Sequence, residues 1–434
     1  MPNRRRVTCV LATLAALCAI LPGTAHAAPG RSVGLFREVP AGVPLTKSLD
    51  LRKLPAAAPR EQQVRLSAVD QNVPAPVTFD ECHKDIKNGY WTKNRFASCT
   101  ITDMAYQRYA CPEAGCAVIG TAWARVISTS NLLPGQRKLE VATRMVGWSL
   151  SGVVTDAMQF GIAMSCGPRY TTGTAHCDTP SAQIVKSVAD WRAQSDEAHV
   201  FTMEGTDVPS PADSPAVQAE QRTWYVGERH LVAEDTGDRT TLVTGAHSAY
   251  LRCDVARLLY PGYAAGSDCA FAFQPLYVLD NSATSGFTAS AALVRAALVN
   301  FAGTYPGTAQ GHFAPGNPGY QGTSGGRTYP VTRLFHDTGL QAVHRATAEL
   351  ACAQHWGPDY AARPDGQVNT CAVYPFDTTY DGATLPAPGV DRGPSYAVQP
   401  VLDRDYQALL ASVGQFVVNN HILDGDGYWV YPYA

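Results

Sequence analysis

The chain has 434 residues, 45% of them hydrophobic and 16% charged, and a formal charge of -3. That length suits two or three domains, and the apolar content is ordinary for a globular protein, with charge below the usual quarter. No stretch beyond the N-terminal segment is long and apolar enough to span a bilayer, which excludes a multi-spanning helical membrane protein.

Residues 1–27 read as a secretory signal peptide. Arg4-Arg5-Arg6 form a basic start, Val7 to Leu21 an apolar core, and Ala25-His26-Ala27 a small-residue cleavage site. The apolar run is shorter than the ~20 residues of a membrane helix and meets Pro22 and Gly23; a retained anchor is the alternative reading. Its removal takes away three arginines and no acids, so the formal charge goes from -3 to -6. Cys9 and Cys18 leave with it, and ten cysteines remain as neighbours along the chain: Cys82/Cys99, Cys111/Cys116, Cys166/Cys177, Cys253/Cys269 and Cys352/Cys371. Five local disulfides in that order are expected of a secreted, extracellular protein, although spacing alone does not fix connectivity. A zinc site competes for Cys111 and Cys116, weakened by four intervening residues and no nearby His pair.

Residues 28–77 are rich in Ala, Pro and Val without a pattern long enough to pack, and read as a flexible leader. Residues 78–280 then read as an all-β, sandwich-like domain. Ser98–Tyr109, Ala117–Ser128, Lys138–Trp148, Met158–Cys166, Thr223–Val232, Leu242–Cys253 and a last run Phe271–Leu279 are rich in strand formers and punctuated by turn residues. Ser181–Arg192 reads as a short helical or loop insertion, and His83, His176, His199, His230 and His247 as scattered surface or loop histidines.

Residues 281–326 read as a helix, Ser290–Phe301 with Ser290 as N-cap, and a Gly/Pro-rich linker. Within the linker, Gly322-Thr323-Ser324-Gly325-Gly326 fits the serine-hydrolase pattern G-x-S-x-G, but lacks the strand before and helix after that the motif requires. Residues 327–434 alternate element types and predict a small α+β unit. Gly339–His355 is an amphipathic helix with Leu340, Val343, Ala346, Leu350 and Ala351 on one side; Cys371–Phe376 and Ser395–Val401 are strands, Tyr406–Val418 a helix, and Gly427–Tyr433 an aromatic strand. This stretch holds six arginines, no lysine and eleven acids, a net of -5, against the Lys/Arg surplus that DNA binding draws on.

The segment Cys371-Ala372-Val373-Tyr374-Pro375-Phe376, followed by Tyr380-Asp381-Gly382, resembles the signature of the NucA/NucB-type deoxyribonucleases, in which Asp-Glu precedes Tyr-Pro-Phe and Tyr-Glu-Gly follows. Arg333-Leu334, His344-Arg345, Asp405, Gly414 and Ile422-Leu423-Asp424-Gly425-Asp426 are similar to further family positions; Thr332, His344, Tyr406 and Leu410 depart from it. Cys82, Trp91 and Asn94-Arg95-Phe96 resemble the upstream half of some secreted members. The resemblance implies a secreted, metal-dependent DNA endonuclease of little base preference, using a divalent ion (magnesium or manganese) held by carboxylates, with DNA as partner. Ala372 and Val373 replace the signature carboxylates, leaving Asp381 and Asp405 as candidate catalytic groups and Asp381 as candidate metal ligand. Asp377 is a possible substitute, Asp424 and Asp426 read as turn residues, and activity is expected to be reduced or lost. The alternative is a catalytically inactive extracellular binding or adhesion protein that uses the β-rich domain.

Overall fold

A computed structural model describes residues 32–39, 65–66, 75–85, 89–112, 115–169, 173–178, 183–193, 196–206, 212–235, 238–243, 249–263, 266–280, 282–300, 303–306, 330–383 and 396–432. The expected signal peptide, the Gly322–Gly326 motif and nearly all of the expected linker lie outside them. In chain order come β1 (Ser32–Val39), β2 (Arg65–Leu66), α1 (Phe79–Asp85), β3 (Gly89–Asn94), β4 (Ala97–Ala110), β5 (Ala117–Leu132) and β6 (Lys138–Gly152). Next are β7 (Gln159–Pro168), β8 (His176–Asp178), β9 (Gln183–Ser187), α2 (Val188–Ala193), β10 (Glu197–Glu204) and α3 (Pro215–Ala219). Then follow β11 (Thr223–Asp235), β12 (Asp238–Val243), β13 (Ala249–Cys253), α4 (Ala256–Leu259) and β14 (Cys269–Phe271). The C-terminal part holds β15 (Leu276–Leu279), α5 (Thr288–Val299), β16 (Val331–Thr332), α6 (Thr338–Trp356), β17 (Asn369–Tyr374), β18 (Ala397–Leu402), α7 (Asp403–Asn419) and β19 (Gly427–Pro432).

The protein is mostly β. An eight-stranded sheet runs β2-β3-β4-β5-β6-β10-β8 with β1 on β4, and a six-stranded sheet runs β14-β13-β11-β7-β9 with β12 on β11. Their inner faces share one apolar core, in which Met104, Ala124, Val126 and Val141 meet Phe160, Ile162, Tyr225 and Leu231. The alternation that predicted these strands is clearest in β6, where every second residue from Leu139 to Met145 is buried. β4 is buried on both faces, because α1 covers its outer side through Val77, Cys82, Cys99, Ile101 and Ile127.

Several boundaries differ from the sequence reading. The expected leader contributes β1, which pairs with β4 from Ser32↔Ala110 to Val39↔Asp103, and Val39 is buried with Ala105 and Trp123. The cause is long-range: β3 is shorter than β4 and leaves the far half of that edge open for another strand. The insertion Ser181–Arg192 is half strand (β9) and half helix (α2), and His199 is buried and stacked on Phe201 rather than at the surface. Leu242–Cys253 resolves into β12 and β13, and Phe271–Leu279 into β14 and β15.

That last division moves a domain boundary. β15 leaves the sandwich and pairs parallel with β19, Leu276↔Trp429 to Leu279↔Pro432, while β16 pairs antiparallel on the other edge of β19. With α5 it joins the C-terminal core, where Tyr277, Leu279, Leu293 and Val294 pack with Val373, Phe376, Val398 and Phe416. The C-terminal unit therefore begins at about residue 276 rather than at 327. Ser290 is not a helix cap but a buried residue inside α5. α6 is rotated from the expected face: His344, Thr347, Ala348, Ala351 and Cys352 are buried, whereas Val343 and Leu350 are each 53% exposed. The Cys352–Cys371 disulfide ties that face to β17.

All five cysteine pairs are joined as expected: Cys82–Cys99, Cys111–Cys116, Cys166–Cys177, Cys253–Cys269 and Cys352–Cys371. They suit a protein of an oxidising compartment. Among the described residues no helix is long and apolar enough to cross a membrane.

The two units meet through a buried ionic network. Arg95, in the turn from β3 to β4, donates to Phe271 O, Asn420 O, His421 O and the Asp426 carboxylate. Arg252 of β13 donates to the same carboxylate, to Asp254 at 3.2 Å and to His421 O at 3.0 Å. His421 Nε2 lies 2.8 Å from Asp254, and Tyr263 donates to Ile422 O. Burial would raise the Asp426 pKa, but Arg252, Arg95 and Arg222 outweigh it and hold the carboxyl well below the usual carboxylate range. A carboxyl with a depressed folded-state pKa contributes stability above its unfolded value of about 3.9, and that contribution is lost as pH falls from there towards the folded value. The parent protein should therefore unfold at lower urea concentrations below about pH 4. At pH 7, Asp426→Asn should lose about 3–5 kcal/mol by leaving Arg95 buried without its anion and Arg252 with Asp254 alone. An unchanged urea midpoint in the variant would refute this role.

Candidate functional site

The segment that resembles the nuclease signature is built into the C-terminal core. β17 pairs antiparallel with β18, with Ala372↔Gln399 and Val373↔Val398 as partners. Cys371, Ala372, Val373 and Tyr374 are all buried, as is Phe376. Ala372 and Val373 carry no oxygen, and both side chains belong to the apolar core, packed with residues of α5 and α7. After the cis Tyr374–Pro375 bond, the chain turns through Thr379, whose N–H and hydroxyl both donate to Phe376 O, and Gly382, whose N–H donates to Thr379 O.

His344 on the buried face of α6 packs against this turn. Its Nδ1 lies 3.3 Å from Asp377 O, and its Nε2 is buried without a hydrogen-bond partner among the described residues. The backbone at residue 382 passes so close that a Cβ there would lie 2.3 Å from His344 Nδ1, which restricts the position to glycine. Arg345 reaches the other way, to Glu349 at 2.8 Å and Thr370 at 3.1 Å, with Asp377 at 3.9 Å and the Tyr406 ring beneath its guanidinium at 5.7 Å. Burial pushes the Asp377 carboxyl up, and the opposing pull of Arg345 and His344 does not offset it. Burial likewise pushes up Asp381 against the hydrogen bond from Thr332 and the attraction of His344.

The candidate catalytic residues do not converge. Asp381 accepts the Thr332 N–H at 2.7 Å and so joins the turn to β16. Asp405, in the first turn of α7, caps a different helix: it accepts Ala289 N–H at 3.1 Å, Ser290 N–H at 2.8 Å and the Ser290 hydroxyl at 2.5 Å. Both its oxygens serve the otherwise unpaired N–H groups at the start of α5. Asp424 accepts Phe335 N–H, His336 N–H and the Tyr380 hydroxyl, and Asp426 is the anion of the inter-unit network. Both do more than shape a turn: the Asp426 side chain anchors the interface, whereas the Asp424 side chain ties together segments of the C-terminal unit and only its carbonyl accepts from Arg222; Gly425 between them has φ +75°, a conformation that favours glycine. A divalent ion bound by hard oxygen ligands does not fit this set. The signature carboxylates are absent, Asp405 is occupied by α5, and the described residues contain no group of three or more His, Cys, Asp or Glu placed to hold a metal.

A second feature lies in the sandwich. A cavity of about 40 Å³ is lined by Tyr90, Ser98, Thr100, Ser128, Ser130 and Arg229 on its polar side and by Leu139, Val141, Met164 and Phe201 on its apolar side. Hydroxyls face one another across the strands: Ser98↔Ser130 and Thr100↔Ser128 are direct β4–β5 partners, and Ser128↔Thr143 pairs β5 with β6. From the opposite sheet, buried Arg229 donates to Thr100 at 3.2 Å, Ser128 at 2.7 Å and Thr102 at 3.2 Å. The sequence reading missed this group. Its signal is present: Ser98, Thr100 and Thr102 at alternate positions of β4, and Ser128 and Ser130 of β5, occupy the parity that carries apolar residues elsewhere in the same strands.

No family model matches the chain, and no curated protein matches it.

Asp405→Ala should lower stability by about 1 kcal/mol, the usual loss for a helix cap, and Asp405→Asn by less. Asp381 behaves oppositely with pH. A carboxyl whose folded pKa is raised contributes stability that is full below its unfolded value and lost as pH rises through the folded value. Asp381→Asn, which keeps an oxygen for Thr332, should therefore match or exceed parent stability at pH 7. Chemical denaturation of both variants at pH 4 and pH 7 checks this; a large loss in Asp381→Asn at pH 7 would contradict it.

Proposed function

We propose that this is a secreted protein with a NucA/NucB-like C-terminal unit that no longer hydrolyses DNA, and that it works as an extracellular binding protein through its β-rich unit. The observation that carries this reading is the use of the carboxylates: each acid at a family-like position holds the scaffold together. Asp405 caps α5, Asp381 ties the turn to β16, Asp424 gathers Phe335, His336 and Tyr380, and Asp426 neutralises two buried arginines. Asp405, Asp424 and Asp426 cannot leave their donors for a metal without a loss of structure, and Asp381 is tied to Thr332 through one oxygen.

Charge supports the same reading. Of the six arginines after residue 326, Arg333 is directed to Tyr263 and Ile422 O, Arg345 to Glu349 and Thr370, and Arg363 to Asp365 and Asn369. Arg404 is exposed, and Arg327 and Arg392 lie outside the described residues. Phosphate neutralisation needs several cations on one face, and these engaged side chains do not supply them. The binding role is assigned to the β-rich unit, which is joined to the C-terminal unit through Arg95 and Asp426. Arg95 loses its anion if the units are separated and Arg252 keeps only Asp254, and β15 lies beyond the sandwich although it precedes residue 280.

The full chain, with disulfides formed, should leave plasmid DNA intact in magnesium, in manganese and in chelator alike. Nicking that needs the metal and vanishes in Asp381→Asn would overturn the proposal and mean a nuclease site rebuilt around Asp381.

A further inference from the structure

We infer that the cavity between the two sheets is a binding site for a short carboxylate, its charged end held by the hydroxyls that Arg229 organises and its short apolar end against Leu139, Val141 and Phe201. The inference rests on the binding-protein reading and names the chemistry of its ligand.

The inner face of a sandwich is ordinarily apolar, and that is so on either side of this band. Met104 and Tyr106 of β4, paired with Ala124 and Ala122 of β5, lie on one side, and Phe96 and Leu132 on the other. Between them the two strands place buried Ser98, Thr100, Thr102 and Ser128 in one patch, with Thr143 of β6 buried 2.9 Å from Ser128. Burying hydroxyls in place of methyl groups gives up hydrophobic stabilisation and requires every one of them to find a partner. Arg229 and Thr143 take up part of this patch, and Ser98, Thr100, Ser128 and Ser130 line the cavity.

The direction of the hydrogen bonds sets the ligand's charge. A hydroxyl has one O–H to donate and two lone pairs to accept. Thr100 and Ser128 both accept from Arg229, which polarises them as donors; Ser128 shares a hydrogen bond with Thr143, and the Thr100 proton is turned to another partner. Tyr90 lies in the same wall beside Ser98. Hydroxyl donors backed by a guanidinium recognise a carboxylate, and the apolar wall opposite suits a short hydrocarbon tail. Size sets the length. About 40 Å³ holds roughly three waters, which limits the enclosed part of a ligand to an acetate- or propionate-sized group. Ser165, exposed at the rim, marks the open side.

The test is equilibrium dialysis of the full chain with labelled propionate, with glycerol as the neutral competitor and chloride at matched ionic strength. Saturable propionate binding that glycerol does not displace is expected, with at least a tenfold loss in Arg229→Gln. Because Arg229 is buried and its variant can fail to fold, Ser130→Leu, which fills the cavity from its half-buried edge, is the second variant and should show the same loss with an unchanged near-UV spectrum. Binding retained in both variants, equal competition by glycerol, or no saturable binding by folded parent protein would each overturn the inference. These results stand apart from the DNA assay. Metal-dependent nicking sinks the lapsed-nuclease reading whatever propionate does, and absent propionate binding in an inactive protein sinks the carboxylate site alone.

Discussion

The Asp426 carboxylate, shared by the buried guanidinium groups of Arg95 and Arg252, is the interaction on which the architecture depends. Two guanidinium groups brought together without an anion would repel and would lose their hydration; one carboxylate between them reverses the sign of the local field. The backbone completes the arrangement, since both arginines also bind carbonyls at Asn420 or His421 that mark the end of α7. The sandwich and the C-terminal unit therefore share a buried polar core as well as a chain connection. Neither surface of that interface would be stable in water alone.

The same economy of carboxylates explains the C-terminal unit. Backbone N–H groups donate to Asp381, Asp405 and Asp424. Such hydrogen bonds fix local geometry and leave little drive to bind an ion. Gly382 carries a related lesson. Its place in a Tyr-Asp-Gly turn is set by the His344 ring, which fills the space a side chain would need.

The sandwich shows the opposite allocation. Its polar band spends burial on hydroxyls that face an opening, and the Arg229 side chain crosses from one sheet to the other to organise them. Apolar layers on both sides supply the stability that this band forgoes.

Local spacing made a good part of the molecule legible. Strands β4 to β7, β11, β17 and β18 follow from alternation and turn residues, the helices α6 and α7 from helical periodicity, and the five disulfides from cysteine order, because each depends on neighbours within about twenty residues. Partners at long range were not legible. Periodicity placed Leu340, Val343 and Leu350 inside, but the disulfide and β17 turned α6 so that His344 and Ala348 face the core. Asp405 looked like a candidate ligand until α5 presented its N-terminus to it, and Asp426 meets Arg95 from 331 residues away. The sequence by itself determined most of the strands and the longer helices, and its cysteine order suggested a pairing that it could not fix. The tertiary structure decided what each acid binds and which strand faces carry the hydroxyls, because electrostatic partners and inter-sheet neighbours are set by distances in space that no spacing along the chain encodes.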